Sequence, residues 1–440
     1  VLGIIYGGGV ALLICSLGLL VWRKFGSIFA LLLPFMYGYF SVFLSCLYLE
    51  LYPSFIFEQE RYSFFNGASL LLFVVLLFSV LSVVFVFQNL SRVVGVQKEG
   101  RSLLSKKALF SVVVLEGVLI AHVFLSGSPL FEVGVTKFSF WRDQAILEPL
   151  SIFNWALYPV IFVVGANGAF FMYSKSRVSW FLSVLVLVFG CLYYVSWGNK
   201  FSALLLVVFL YFIPGVIAFR RRFGFSYPIV SRTFALGLGF LFLIIGLVSS
   251  QYERFQSRGL DAREQLIERV FVLQGHVWWG SVGAVLAGGP DFDQAAKELG
   301  SVFRRDDSDS VGMRYMMKKL APEYLYSSYL ESGVEYTGGY PAILVLIFGL
   351  FGGVLFSVVL WGFYGFFLFY LARLIFIGSR VRLFFSSYLY ITSFAWFQHG
   401  SISSFINWKF LVVCLFLLSL EIVFYLRGLE RQASQEVYNV

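Results

Sequence analysis

The sequence predicts an all-α polytopic integral membrane protein with about eleven transmembrane helices and one large, partly helical external loop. Three observations predict it. Hydrophobic residues make up 59% of the 440-residue chain and charged residues only 13%, with a mean hydropathy of +0.84. A soluble chain of this size has no interior able to hide so much apolar surface. The apolar residues also fall in long runs, most of them near the about twenty residues that a helix needs to cross hydrocarbon with its backbone bonded internally. Finally, basic residues gather on alternate connections between those runs.

The runs are residues 2–22, 28–49, 67–90, 108–127, 151–173, 178–197, 201–219, 233–250, 340–372, 384–398 and 409–426. Residues 2–22 lack a charged leading region and a small-residue cleavage site, so they read as a mature span. The ninth run is long enough to tilt or to project beyond the bilayer, and the tenth is short. One set of connections carries 18 basic residues, from Arg23 and Lys24 to Arg427 and Arg431. The opposite set, leaving out one long loop, carries Arg61, Lys137, Arg142, Lys200 and Lys409. This asymmetry places the N-terminus outside and the C-terminus in the cytoplasm. The chain divides into a bundle of about eight helices over 1–250, a loop domain over 251–339, about three helices over 340–426, and a cytoplasmic tail over 427–440.

The net charge of +9 is then mostly anchoring to anionic lipid. No hydrophilic basic domain exists to hold a nucleic acid. Cys15, Cys46, Cys191 and Cys414 all lie in the apolar runs, so disulfides do not organise the outer domain. Three histidines and four cysteines supply no zinc cluster or haem array, and a metal or cofactor is not expected. Soluble-enzyme templates fail as well: there is no GxGxxG after a strand, no Walker lysine, no HExxH and no GxSxG.

Polar residues concentrate in the loop 251–339, which holds 10 basic and 13 acidic residues. Leu266, Ile267, Val270, Phe271 and Leu273 recur at helical spacing. A helix start is read at Asp291 and Gln294, running through Ala295, Ala296 and Leu299. Met313, Met316, Met317 and Leu320 form a further stripe that Pro322 stops. Packing onto the membrane domain accounts for these stripes.

The loop also places Arg254, Arg258, Arg269, Arg314, Lys318 and Lys319 outside, against the positive-inside bias. Arginine forks grip phosphate oxygens and lysine adds a point charge, although the loop carboxylates offer each cation a partner. Trp278 and Trp279 beside His276 suit the membrane interface. Lys200, in the turn Gly198-Asn199-Lys200, is held at the mouth of the bundle; snorkelling to water would also explain it. The last external turn, from Gln398 and His399 to Lys409, is polar. Glu116 and His122 lie within the fourth run, where ionisable groups are expensive and so mark candidate functional positions. Asp306, Asp307 and Asp309 read as a solvated turn. In Tyr336-Thr337-Gly338-Gly339-Tyr340-Pro341, the glycines permit close approach, and Gly349, Gly352 and Gly353 permit tight helix contact.

The arrangement resembles the bacterial O-antigen polymerases (Wzy) and, more distantly, the O-antigen ligases. These are membrane glycosyltransferases of the C-like class, with ten to fourteen spans and one dominant late external loop. Gly198-Asn199-Lys200-Phe201-Ser202 resembles a Gly/Ser-rich turn that carries a basic residue in these polymerases, here lysine for arginine. Arg269 to Leu273 fits an RxxxL pattern, and Arg269 with Gly280 fits an RX10G spacing. Gly338-Gly339 followed by Gly349-Leu350-Phe351-Gly352 resembles a ligase segment in which glycine replaces the histidine, which tilts the reading toward polymerase.

The resemblance implies transfer of a growing glycan from undecaprenyl pyrophosphate to a sugar hydroxyl on the next lipid-linked repeat unit, at the periplasmic face of the bacterial inner membrane. The activated pyrophosphate ester supplies the energy, so no nucleotide fold is needed. Under this reading Lys200, Arg254, Arg258 and Arg269 hold the donor pyrophosphate, with Arg314 and Lys409 as second choices. His276 is the first candidate for the base, with His399 and Glu335 as alternatives. The implied partners are undecaprenyl-pyrophosphate-linked oligosaccharides, the lipid bilayer and a chain-length regulator of the Wzz kind. An O-antigen ligase acting on lipid A core and a lipid-linked oligosaccharide flippase are the competing readings.

Overall fold

A computed structural model of the chain describes residues 26–93, 104–129, 140, 145–173, 176–198, 201–223, 272–301, 310–332, 336, 338–400 and 406–438. Thirteen α-helices and one two-stranded hairpin occur among the described residues. A 3-10 segment, Gly26–Leu32, leads into α1, Leu33–Leu51. Pro34 sits in the first turn of α1, where its missing N–H costs nothing. The hairpin pairs β1, Phe55–Ile56, with β2, Arg61–Tyr62, setting Phe55 opposite Tyr62 and Ile56 opposite Arg61.

Then come α2, Ala68–Val93; α3, Lys106–Leu125; α4, Phe153–Tyr173; α5, Arg177–Ser196; and α6, Phe201–Phe223. The loop region supplies α7, His276–Gly288; α8, Asp293–Gly300; α9, Gly312–Leu320; and α10, Glu323–Ser332. The chain closes with α11, Gly339–Ile377; α12, Arg380–His399; and α13, Trp408–Tyr438.

Helices α1 to α6 and α11 to α13 lie at nine of the eleven expected runs, while 2–22 and 233–250 fall outside the described residues. Five segments are long and apolar enough to cross a membrane: Phe29–Leu51, Ala68–Ser91, Lys106–Leu125, Arg177–Ser196 and Gly339–Ile377. Their outer faces agree with that. Phe78, Leu81 and Phe85 on α2, and Phe110, Val114 and Val118 on α3, are exposed apolar side chains at helical spacing. Such stripes are a liability in water and at home in lipid. The molecule is an all-α membrane protein, and a bilayer is the partner its surface fits.

Inside the bundle, α4 packs along α6, α2 along α11, α3 along α5, and α12 against α4. The α4–α6 contact is made backbone to backbone at Gly165, where an added Cβ would stand 2.0 Å from the Tyr211 carbonyl oxygen. Small residues allow this approach, and dispersion between the two backbones replaces the hydrophobic drive that lipid does not supply. The start of α2 is capped from the end of α1. Glu50 is buried and accepts from the Ala68 N–H at 2.6 Å, the Ser69 N–H at 3.3 Å and the Ser69 hydroxyl. A carboxylate here meets both the orphan N–H groups and the positive end of the helix dipole.

The ninth run is not one straight helix. Gly349 has φ 74° and ψ 179°, a conformation open almost only to glycine. There α11 turns back on itself: Val345 Cα lies 2.8 Å from where a Gly353 Cβ would be. Phe348 stacks on Phe356 with ring centres 4.1 Å apart, and Tyr340 bonds Ser357 at 2.7 Å. Residues 340–347 are buried throughout. The expected single long or projecting span is thus a helical hairpin, and the glycines that predicted close contact make it within their own chain. The turn frees the Leu346 carbonyl, which accepts from the Asp291 N–H at 2.8 Å and so ties the loop region to the bundle.

The loop helices follow the stripes. Met313, Met316, Met317 and Leu320 are buried, and α9 packs on α7 and α11. Helix α8 begins at Asp293, close to the predicted start. Of the first stripe, Leu266, Ile267, Val270 and Phe271 lie outside the described residues. Trp278 and Trp279 depart from expectation. Both are fully buried, with their indole N–H groups donated to the Ala68 carbonyl at 2.6 Å and the Phe64 carbonyl at 2.8 Å. They clamp α7 against the start of α2 instead of lying at a lipid interface.

Candidate functional site

The site is assembled where the N-terminus of α7 meets α1 and the hairpin between α1 and α2. Gly275 makes this possible. A Cβ there would stand 2.6 Å from the Cys46 backbone nitrogen and 2.8 Å from Ser45 Oγ. Around it, the Gly275 N–H donates to Ser45 Oγ at 2.8 Å, Ser45 Oγ donates to the Val272 carbonyl at 3.1 Å, and Cys46 Sγ donates to the Gly275 carbonyl at 3.3 Å. Helix α7 therefore begins in a fixed position, with His276 as its first residue.

His276 is 2% exposed and Glu58 is 17% exposed. The His276 Nδ1 donates to the Leu273 carbonyl at 2.9 Å, and Nε2 lies 2.8 Å from Glu58 Oε2. The Nδ1 contact is a hydrogen bond, whereas the Nε2–Glu58 contact is a close approach of the two polar groups that leaves Nε2 without a hydrogen-bond partner among the described residues. Two tyrosines close over the pair. The Tyr336 ring meets the His276 ring edge to face at 4.8 Å, and its hydroxyl donates to the Glu58 carbonyl at 2.7 Å. The Tyr329 hydroxyl donates to Glu58 Oε1 at 3.3 Å. Burial, then the Glu58 charge and Tyr329, push the Tyr336 phenol well above its usual range, so it remains a hydrogen-bond donor. Tyr324 donates to Glu60 next along the hairpin.

Gln59 and Arg61 extend the site. The Gln59 amide donates to the His276 carbonyl at 2.8 Å. Its oxygen accepts from Arg61 Nε at 3.0 Å and Nη2 at 2.6 Å. The Arg61 guanidinium lies 4.8 Å from the centre of the Trp279 ring, a cation–π contact. Burial draws Arg61 down from its usual value, yet a guanidinium keeps its charge. No carboxylate pairs with Arg61 among the described residues. The arrangement sets a partly reachable carboxylate, backed by an imidazole, three residues from a positioned cation that pairs with no carboxylate among the described residues.

The residues expected from the sequence are distributed unevenly. His276 is in this site, though as the buried member of a pair whose more reachable atoms belong to Glu58. Arg314 lies half-buried on α9, which packs against α7, and it is engaged by neighbouring groups. Lys409 is exposed in the first turn of α13, with Nζ 5.8 Å from the Trp408 ring centre. His399 is the last residue of α12, and its side chain is outside the described set. Glu335, Lys200, Arg254, Arg258 and Arg269 also lie outside the described residues.

Glu58, Gln59, Tyr329 and Tyr336 were missed by sequence reasoning, and Arg61 entered it only as a topology marker. A signal existed: Glu58-Gln59-Glu60-Arg61 is a dense charged stretch in a short connection between two very apolar runs.

Residues 306–414 match the family of unknown function DUF6418. The match takes in α9 to α12 and the start of α13, roughly a quarter of the chain. It includes Tyr329 and Tyr336 but neither Glu58 nor His276. No curated protein matches, and no solved structure matches.

Proposed function

We propose that this chain polymerises polyprenyl-pyrophosphate-linked oligosaccharide repeat units at the outer face of a bacterial inner membrane, with its N-terminus outside and its C-terminus in the cytoplasm. The observation that carries this reading is the Glu58–His276 pair, set under Tyr329 and Tyr336, with Arg61 three residues along the hairpin. Glycosyl transfer from a lipid pyrophosphate needs a base for the acceptor hydroxyl and cations for an anionic leaving group. Both kinds of group meet here, joined to the apolar bundle that a lipid-linked substrate requires. The resemblance of the Gly198–Ser202 turn and the Arg269 segment to O-antigen polymerases supports the same class.

In this scheme Glu58 takes the proton of the acceptor sugar hydroxyl. The acceptor oxygen forms a bond to the anomeric carbon of the donor as the bond from that carbon to the pyrophosphate breaks. The pyrophosphate leaves as an anion on its lipid. His276 holds Glu58 in position, and the added proton stays on the Glu58 carboxyl. Arg61 joins Lys200, Arg254, Arg258 and Arg269 as candidate contacts for the leaving pyrophosphate.

The test uses purified protein with an undecaprenyl-pyrophosphate oligosaccharide, reading product length, alongside surface polysaccharide in cells. Glu58→Gln should slow chain growth by roughly 10²–10⁴-fold, the usual worth of a general base, at unchanged protein level. Full-length product from both Glu58→Gln and Arg61→Ala would sink the assignment. Product found on lipid A core instead of on the polyprenyl carrier would turn the reading to a ligase.

A further inference from the structure

Glu116 lies midway along α3, about 15 Å of helix rise from Lys106 and a similar distance from Leu125. Its exposure is 0%, and neither carboxyl oxygen has a hydrogen-bond partner among the described residues. The contrast with Glu50 is sharp, because that buried acid accepts three hydrogen bonds.

What faces Glu116 is nearly all neutral. From α5 come Gly190, whose added Cβ would lie 3.5 Å from Oε1, and then Cys191 and Tyr194. From α4 come Ile161, against the same point of Gly190, and Tyr158, stacked on Tyr194 with ring centres 4.5 Å apart. Within one turn on α3 itself stand Val112, Val113, Leu119 and Ile120. No basic side chain pairs with it among the described residues. A bare carboxylate without hydrogen bonds or a counter-charge at such a place costs many kcal/mol, which a bound proton removes.

A polar cluster lies about one helical turn away. Tyr194 is one helical turn from Gly190, and its hydroxyl donates to the Asn154 carbonyl at 2.7 Å. Tyr193 donates to Asn154 Oδ1. Asn154 belongs to the first turn of α4, at the end of the bundle where residues 145–152 enter it.

We propose that Glu116 is a proton-binding site inside the membrane domain, holding the neutral acid at pH 7 and exchanging its proton with water. The exchange is balanced: the proton released to water is replaced by one from water. This site is independent of the glycosyl-transfer reading.

The test is infrared spectroscopy of the full-length protein in phosphatidylcholine vesicles, wild type against Glu116→Gln. A protonated-carboxyl C=O band should be present in the wild type, absent from the variant, and shifted when the vesicles are moved to D2O. Absence of any such difference band, or a band unmoved by D2O, overturns the proposal. Should Glu116→Gln fail to fold, wild-type protein labelled with dicyclohexylcarbodiimide keeps the question decidable. Mass spectrometry should find the adduct on Glu116, and a water-soluble carbodiimide should leave that residue unlabelled. A Glu116 that reacts with neither reagent, or equally with both, rules the site out.

Discussion

Tyr340 and Ser357 share a hydrogen bond of 2.7 Å although they belong to one continuous apolar run, 17 residues apart. A straight helix would set them about 25 Å apart. The bond exists because α11 reverses at Gly349, and that reversal fixes both the buried half-helix and the Leu346 carbonyl that receives Asp291.

Gly349→Ala should therefore destabilise the protein by about 1–3 kcal/mol, the cost of forcing an L-residue into that region of φ and ψ. Thermal unfolding in detergent measures it, with Gly38→Ala as the control. Gly38 has nothing within 4 Å of an added Cβ, and its substitution should leave the midpoint unchanged or slightly higher. Equal behaviour of the two variants would contradict the hairpin.

Gly275→Ala should detach the start of α7 from α1. The new methyl group meets the Cys46 backbone nitrogen at 2.6 Å, which cannot swing aside as a side-chain tip could. A loss of about 3 kcal/mol is expected, with faster trypsin cleavage at Arg61 as the hairpin loosens. Unaltered cleavage with normal stability would show that the helix start tolerates displacement.

Glu50→Ala removes the cap from α2 and should cost about 1–2 kcal/mol. Glu50→Gln should cost less, since an amide oxygen can still accept from Ala68 and Ser69. The ordering of the two midpoints tests the capping role more directly than either alone.

Arg382 and Glu421 pair at 2.8 Å, with the Arg382 side chain 10% exposed and that of Glu421 39% exposed. Tyr370 donates to the same Glu421 oxygen at 2.7 Å. Glu421→Ala should cost about 1–3 kcal/mol, below the value for a fully buried pair because the Glu421 side chain is 39% exposed. Arg382→Met combined with Glu421→Leu should recover most of that loss. A double variant as weak as the single one would place the effect in packing.

Much of the fold was legible because lipid imposes a simple grammar. A span must be apolar for about twenty residues and must bond its own backbone, so α1 to α6 and α11 to α13 could be placed by hydropathy. The stripe Met313, Met316, Met317 and Leu320 was legible for a similar reason, as helical periodicity marks a buried face. Trp278 and Trp279 were misplaced because an aromatic pair near a span looks the same whether it anchors in lipid or packs in a core. Only the acceptors at Ala68 and Phe64 distinguish the two. Glu58 was missed because its partner is His276, far away in the chain, and no local pattern encodes that pairing.

The sequence by itself determined the solvent of this protein and the positions of its helices, since transfer into hydrocarbon is a sum over local residues. It also marked Glu116 as an expensive group, by depth alone. The tertiary structure decided which groups meet. It turned the Gly349 run into a hairpin, brought His276 to Glu58 and, among the described residues, left Arg61 without a carboxylate and Glu116 without a hydrogen bond. Such contacts depend on backbones approaching at Gly165, Gly275 and Gly353. Close approach is a property of two segments together, and neither carries it in its own sequence.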